Sequence, residues 1–308
     1  MTDASRQRPA LREIYAVWLL FALAAAAVFV TYWRLPLSEL WKVTHSGLAG
    51  GAGRAFVFLS YSAALAAIAI VAIVVDRLED RRAVLLGITS VLLCATVAIP
   101  GVQTPNDLDA KWANLPAVLG VGIAVSLTVW AAARGRAEQV RTTKAGDLAR
   151  VGTAVVVLFF ATPYIAAELG LFLDGVPLLG WIFQTGRLRP EEPGSSFIHA
   201  AVHHGHHHGL DGFLLAVTAL LLSRLLGGIR RHGLRIVTAA YLSLMLVYGL
   251  ANMANDLWAE QVVKRDWTSW LIPDVLSPSL SAAWAVIIAW AVVVYFAFWR
   301  ERPLLGRL

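Results

Sequence analysis

The sequence predicts an all-α polytopic membrane protein, a bundle of about eight transmembrane helices with both termini inside. Three observations carry this. The 308 residues are 58% hydrophobic and only 15% charged, with a mean hydropathy of +0.66, whereas about a quarter of a soluble domain is charged. Uncharged apolar runs recur at the roughly 17–25 residues needed to cross about 30 Å of hydrocarbon. Basic residues collect in alternate connections, as positive-inside topology requires. The same composition excludes a disordered chain, collagen and a disulfide scaffold, because Cys94 is the single cysteine. Two-cysteine redox centres and all-cysteine zinc or iron–sulfur sites are excluded with it.

Each helix has its own justification. Residues 14–33 follow Arg6, Arg8 and Arg12 and end in Tyr32-Trp33-Arg34, an interfacial anchor. This run is too long for the core of a signal peptide and reads as a retained helix. Residues 55–75, 83–99 and 115–133 supply the next three. The fifth, 151–167, contains Thr162-Pro163 and continues past Glu168 to Leu173. The sixth, 209–226, holds Arg224 near one end, where a long side chain can snorkel to the interface. Residues 236–251 and 282–299 complete the set. Lipid offers the backbone no partners, so such spans must be helical.

With the N-terminus inside, 18 of the 26 lysines and arginines fall in inner segments. The other eight are Arg34, Lys42, Arg54, Lys111, Arg187, Arg189, Lys264 and Arg265. The pI near 9.8 thus reflects topology and anionic lipid rather than nucleic acid. These features place the chain in the plasma (inner) membrane as one integral-membrane domain, residues 1–308. A weak 4 + 4 repeat, 1–133 and 151–308, is suggested by Asn106-Asp107-Leu108 and Asn255-Asp256-Leu257. The longest connections are outside: 34–54, 100–114, 174–198 and 252–281. The last, with Trp258, Trp267 and Trp270, is expected to lie along the interface.

Six of the eight histidines fall within residues 199–208: His199, His203, His204, His206, His207 and His208, followed by Asp211. Pro193-Gly194-Ser195-Ser196 offers a turn and a serine cap, which predicts a helix from about residue 195 with the histidines in its first turns. At about 100° per residue, His199, His203 and His206 share one face with His207 at its edge, while His204, His208 and Asp211 share the next. Imidazoles one turn apart can close on one ion, and a carboxylate beside them suits Zn, Fe, Cu or Mn. A divalent transition metal is therefore expected on the outer side. Glu168 and Asp256 are the candidate catalytic carboxylates, the latter in a stripe with Tyr248 and Asn252. His45 is on the same side. Plainer readings stand beside these: a solvated, titratable helix end for the histidines, and a helix cap for Asn252 and Asp256. Gly205, Gly209 and Gly212 read first as small residues for close packing.

The spacings of His199, His203, His204, His206, His207 and His208 resemble a histidine box of the membrane di-iron desaturases and hydroxylases. That family carries several separated boxes on the cytoplasmic side, whereas this chain has one cluster, placed outside. What the resemblance implies is limited to a physical idea: histidines at helix ends can hold a metal next to a lipid-soluble substrate.

Two functions follow as expectations. One is a metal-dependent membrane enzyme, an oxidoreductase or hydrolase acting on a lipid or other apolar small molecule. The other is a metal-ion transporter or outer-face metal sensor without catalysis. A transporter needs a polar path, and the inner halves of the spans offer little beyond Thr89, Ser90, Ser126, Thr128, Thr218 and Ser243. All four lysines are in connections, so no span offers a retinal Schiff base, and no Walker A sequence or Gly-x-Ser-x-Gly elbow is present. Cysteine labelling at Arg141 and Glu192 should report opposite sides of the membrane; finding both on one side overturns the topology.

Overall fold

A computed structural model describes residues 11–41, 43–99, 101–103, 108–134, 146–205 and 208–299. Asn106, Asp107, Arg141, His206 and His207 lie outside them. The elements are α1 (Arg12–Arg34), α2 (Gly47–Leu59), α3 (Ser62–Leu78), α4 (Arg81–Cys94), α5 (Leu115–Ala133), α6 (Asp147–Glu168) and the short α7 (Leu179–Ile182). A two-stranded antiparallel hairpin, β1 (Leu188–Pro190) and β2 (Ile198–Ala200), precedes α8 (His208–Ser223), α9 (His232–Gln261) and α10 (Ala282–Val294). All eight apolar runs are helical. Five of the described helices are long and apolar enough to cross a membrane, six if the bent pair α2 and α3 is one span. The remaining two apolar helices, α8 and α10, are shorter.

Apolar side chains face both ways, as lipid on the outside demands. Nearly every residue of α3 is buried among its neighbours, whereas Leu85, Ile88 and Leu92 of α4 and Val286, Ile288 and Val293 of α10 point outward. Outward apolar belts of this extent are a liability in water and the normal surface in lipid. Helices α3 and α8 are the central pair. Close packing of α8 on α9 depends on two glycines: a methyl group on Gly212 would strike the carbonyl oxygen of Gly249, and one on Gly249 would come within 2.6 Å of the carbonyl oxygen of Gly212. Small residues that let backbones touch are a common basis of helix association in membranes.

The run at 55–75 is not one straight helix. Helix α2 begins earlier, at Gly47, and a bend of 42° separates it from α3. Polar side chains gather at the break: Ser60 donates to the Val57 carbonyl at 2.7 Å and accepts from Asn114 Nδ2 at 2.9 Å. Arg54, expected in a connection, lies instead on α2, 3% exposed, with its guanidinium over the Tyr32 ring. Glycines at 50 and 51 make this possible, because they let α2 lie against the backbone of α1 and the turn before it.

One end of the bundle is tied by charge. Arg224 pairs with buried Glu13 of α1 at 2.8 Å and with Asp147 of α6 at 3.0 Å. Arg150 reaches the same Asp147 at 3.2 Å and the Ser223 hydroxyl at 2.8 Å. Nearby, Asp76 of α3 accepts from the Arg230 backbone N–H at 2.8 Å. Removing one partner of a buried pair strands the other charge. Arg224→Met should therefore lower thermal unfolding stability in detergent by about 3 kcal/mol, while exposed Arg81→Met should leave it unchanged within about 0.5 kcal/mol.

Candidate functional site

The histidine segment lies at the opposite end of α1, α6 and α8 from the Arg224 network, since Thr31 of α1 donates to the Glu168 carbonyl at the end of α6. From Ser195 to Gly205 it is not helical, which corrects the expectation of a helix from about residue 195. The Ser195 hydroxyl accepts from the Phe197 N–H at 3.1 Å, a local turn rather than a helix cap. Residues 198–200 then pair with β1, His199 opposite Arg189. Ala201 N–H donates to the Arg187 carbonyl at 2.8 Å and Val202 N–H to Thr185 at 3.0 Å, which prolongs the pairing. Gly205 has φ +103°, a conformation closed to most residues, and it abuts the Tyr32 hydroxyl. The strand partner was the missing information: a helix cannot form where the backbone is already hydrogen-bonded to 185–190.

The two predicted helix faces therefore do not exist, and aromatic rings organise the described histidines instead. His203 stacks on Trp41 with centroids 4.2 Å apart, and His199 packs on the same indole at 4.6 Å. The two imidazoles are 5.7 Å apart. His204 is buried, stacked on Phe172 at 4.1 Å, and its segment forms a bridge with Leu40. Its ring bonds the Ala167 carbonyl, next to Glu168. His208 opens α8. His45 stands apart on the surface, bonded to the Thr44 hydroxyl at 2.7 Å.

Two of the carboxylates, Asp211 and Asp256, are held at the start of α8. Asp211, one turn into α8, is buried and accepts from the Ser62 hydroxyl at the start of α3 at 2.6 Å, with Arg54 as a neighbouring positive charge. Asp256 of α9 accepts from the Gly209 N–H at 2.6 Å and so caps α8 from the adjacent helix. The cap reading of Asp256 is correct for one oxygen, which also fixes the carboxylate at the α8 terminus. Glu168 is buried as the last residue of α6.

Sequence reasoning missed Glu260. Helix α9 continues to Gln261, so the stripe Tyr248, Asn252, Asp256, spaced every four residues, extends to buried Glu260. Glu260 lies near buried Tyr164 of α6, Asp256 and Lys264. The signal was the repeat of four itself, which was cut at the end of the apolar run. Among the described residues no group of three histidines, cysteines or carboxylates is gathered closely enough to hold a metal. Compared with known protein families, curated proteins and solved structures, the chain shows no significant match.

Burial holds the His204 imidazole below its ordinary range, opposed by the bond to Ala167 and the charge of Glu39. The neutral ring is thus the native form. An unfolded chain takes up this proton near 6.5 while the folded chain lags, so stability is intact above that pH and falls as pH drops through it. Unfolding temperatures measured from about pH 7 down to 5 should decline, and His204→Gln should flatten that decline.

Proposed function

We propose that the protein is a plasma-membrane protein that holds a divalent transition metal on its extracytoplasmic side, and that it acts as a metal-dependent enzyme on a lipid or other apolar small molecule. The observation that supports this is the presence of the histidine segment together with three buried carboxylates, Glu168, Asp211 and Glu260, and half-buried Asp256 at one end of α6, α8 and α9. A buried carboxylate is costly unless a proton or a cation neutralises it. Arg54 and Lys264 are the nearby cations that the described residues supply. A mixed imidazole and carboxylate donor set suits Zn, Fe, Cu or Mn. His199, His203, His204 and His208, with His206 and His207 between Gly205 and His208 in sequence, are the candidate imidazole ligands, and Asp211 the candidate carboxylate ligand. The metal would supply Lewis acidity. Asp256, bonded to the Gly209 N–H, and Glu168 would be the groups that take a proton from water.

The alternative is a metal-ion transporter or an outer-face sensor. Transport through the bundle is disfavoured by its interior: between Asp211 and Asp76, α3 and the facing stretch of α8 bury mainly alanine, valine, isoleucine and leucine. Thr218 and Ser243 are isolated within that core, and Ser243 is bonded to its own helix.

Metal analysis of the purified protein should find a stoichiometric transition metal at neutral pH. It should be lost at about pH 5, where imidazole protonates, and in a His203→Ala/His207→Ala double variant. A wild type that carries no metal and takes up none overturns both readings.

A further inference from the structure

A second polar feature lies beside the acidic end of α9, and nothing in the metal reading uses it. Arg187 and Arg189 are two residues apart on β1 and the residue before it, so their side chains leave the same face of the strand. Arg265, in the 3-10 turn Val263–Arg265 after α9, lies close enough to both for the three guanidiniums to repel one another. Together with Gln184, Trp181 and Trp267 they line an open cavity of about 450 Å³, a size typical of small-ligand sites.

Negative charge inside the protein does not balance this cluster. Asp266 contacts Arg189 only at 3.5 Å and is 86% exposed. Asp174, near in sequence to the strand, is bonded to the Thr185 hydroxyl and the Gly186 N–H instead. Among the described residues the Arg187 side chain makes no hydrogen bond or ion pair, and Arg189 Nε is buried without an acceptor. Gln184 is 3% exposed, and its Oε1 accepts no hydrogen bond although its Nε2 holds the Glu260 carbonyl at 2.6 Å. The cavity thus presents the unpaired Arg187 guanidinium, with Arg189 and with Arg265, which is bonded to the Ile182 carbonyl at 2.6 Å, beside it. Its mouth carries Trp181 and Trp267, 85% and 68% exposed. Amphipathic indoles at this level are the usual residues of a membrane interface.

We propose that this cavity binds the phosphate group of an anionic ligand, with Arg187, Arg189 and Arg265 as the anion contacts and the two tryptophans flanking its apolar part. Guanidinium forks match phosphate oxygens in pairs, which lysine cannot do. The phosphate comes from a phospholipid headgroup or from a free phosphate, and the two sources separate experimentally. The site is independent of the metal reading, because none of its residues is a proposed metal ligand.

The test uses the full chain, purified and delipidated. Phosphatidylglycerol retention in phosphatidylcholine nanodiscs is measured by native mass spectrometry, and inorganic phosphate binding by calorimetry. Arg187→Ala should weaken binding by about tenfold, with an unchanged unfolding temperature, and Arg187→Lys should recover part of the loss. Retention that resists millimolar inorganic phosphate supports the lipid source; retention abolished by it, or phosphate binding alone, supports the free anion. Binding of both probes by Arg187→Ala and Arg187→Glu as tightly as by wild type overturns the proposal, and so does failure of the wild type to bind either probe.

Discussion

The close crossing of α8 and α9 at Gly212 and Gly249 determines what the polar end of the bundle can be. The two helices run antiparallel. Because their backbones touch one turn beyond the start of α8, the Gly209 N–H falls within reach of Asp256, two turns further along α9. A side chain at either glycine would push the helices apart and remove that cap. Asp211 would be carried away from Ser62 by the same movement. A contact between two residues with no side chains therefore fixes the geometry of two carboxylates.

Around this crossing the chain separates its charges lengthwise. Glu13, Asp147, Arg150 and Arg224 tie α1, α6 and α8 at one end in a network whose members compensate one another. Glu168, Asp211, Asp256 and Glu260 gather at the other, where the descending histidine segment meets them. Between lies the alanine-rich α3, which is buried almost throughout. The first end has the balanced pairs of a structural anchor. The second has an excess of carboxylate and imidazole, which is the chemistry of a site.

Much of this was legible in the sequence, and the exceptions have physical causes. Every apolar run became a helix because lipid-length hydrophobicity leaves the backbone no other hydrogen-bonded form. The break after Leu59 was hidden, because a bend stabilised by Asn114 and Ser60 depends on residues more than fifty positions apart. His199 and His203 were placed on a helix from their spacing and the serine cap before them, yet strand pairing with Arg189 and stacking on Trp41 decide their geometry. Trp41 is remote in sequence. Glu260 was overlooked for the opposite reason: its period was visible, but a helix that outlasts its apolar run is not announced by hydropathy.

The shortness of α8 has a consequence for access. Its 16 residues span about 24 Å, against about 30 Å of hydrocarbon. Measured from the Arg224 end, the described helix falls several ångströms short of that thickness. His208, Asp211 and the Asp256 carboxylate lie at its other tip, so the length of α8 alone leaves these groups at a depth that acyl chains also reach.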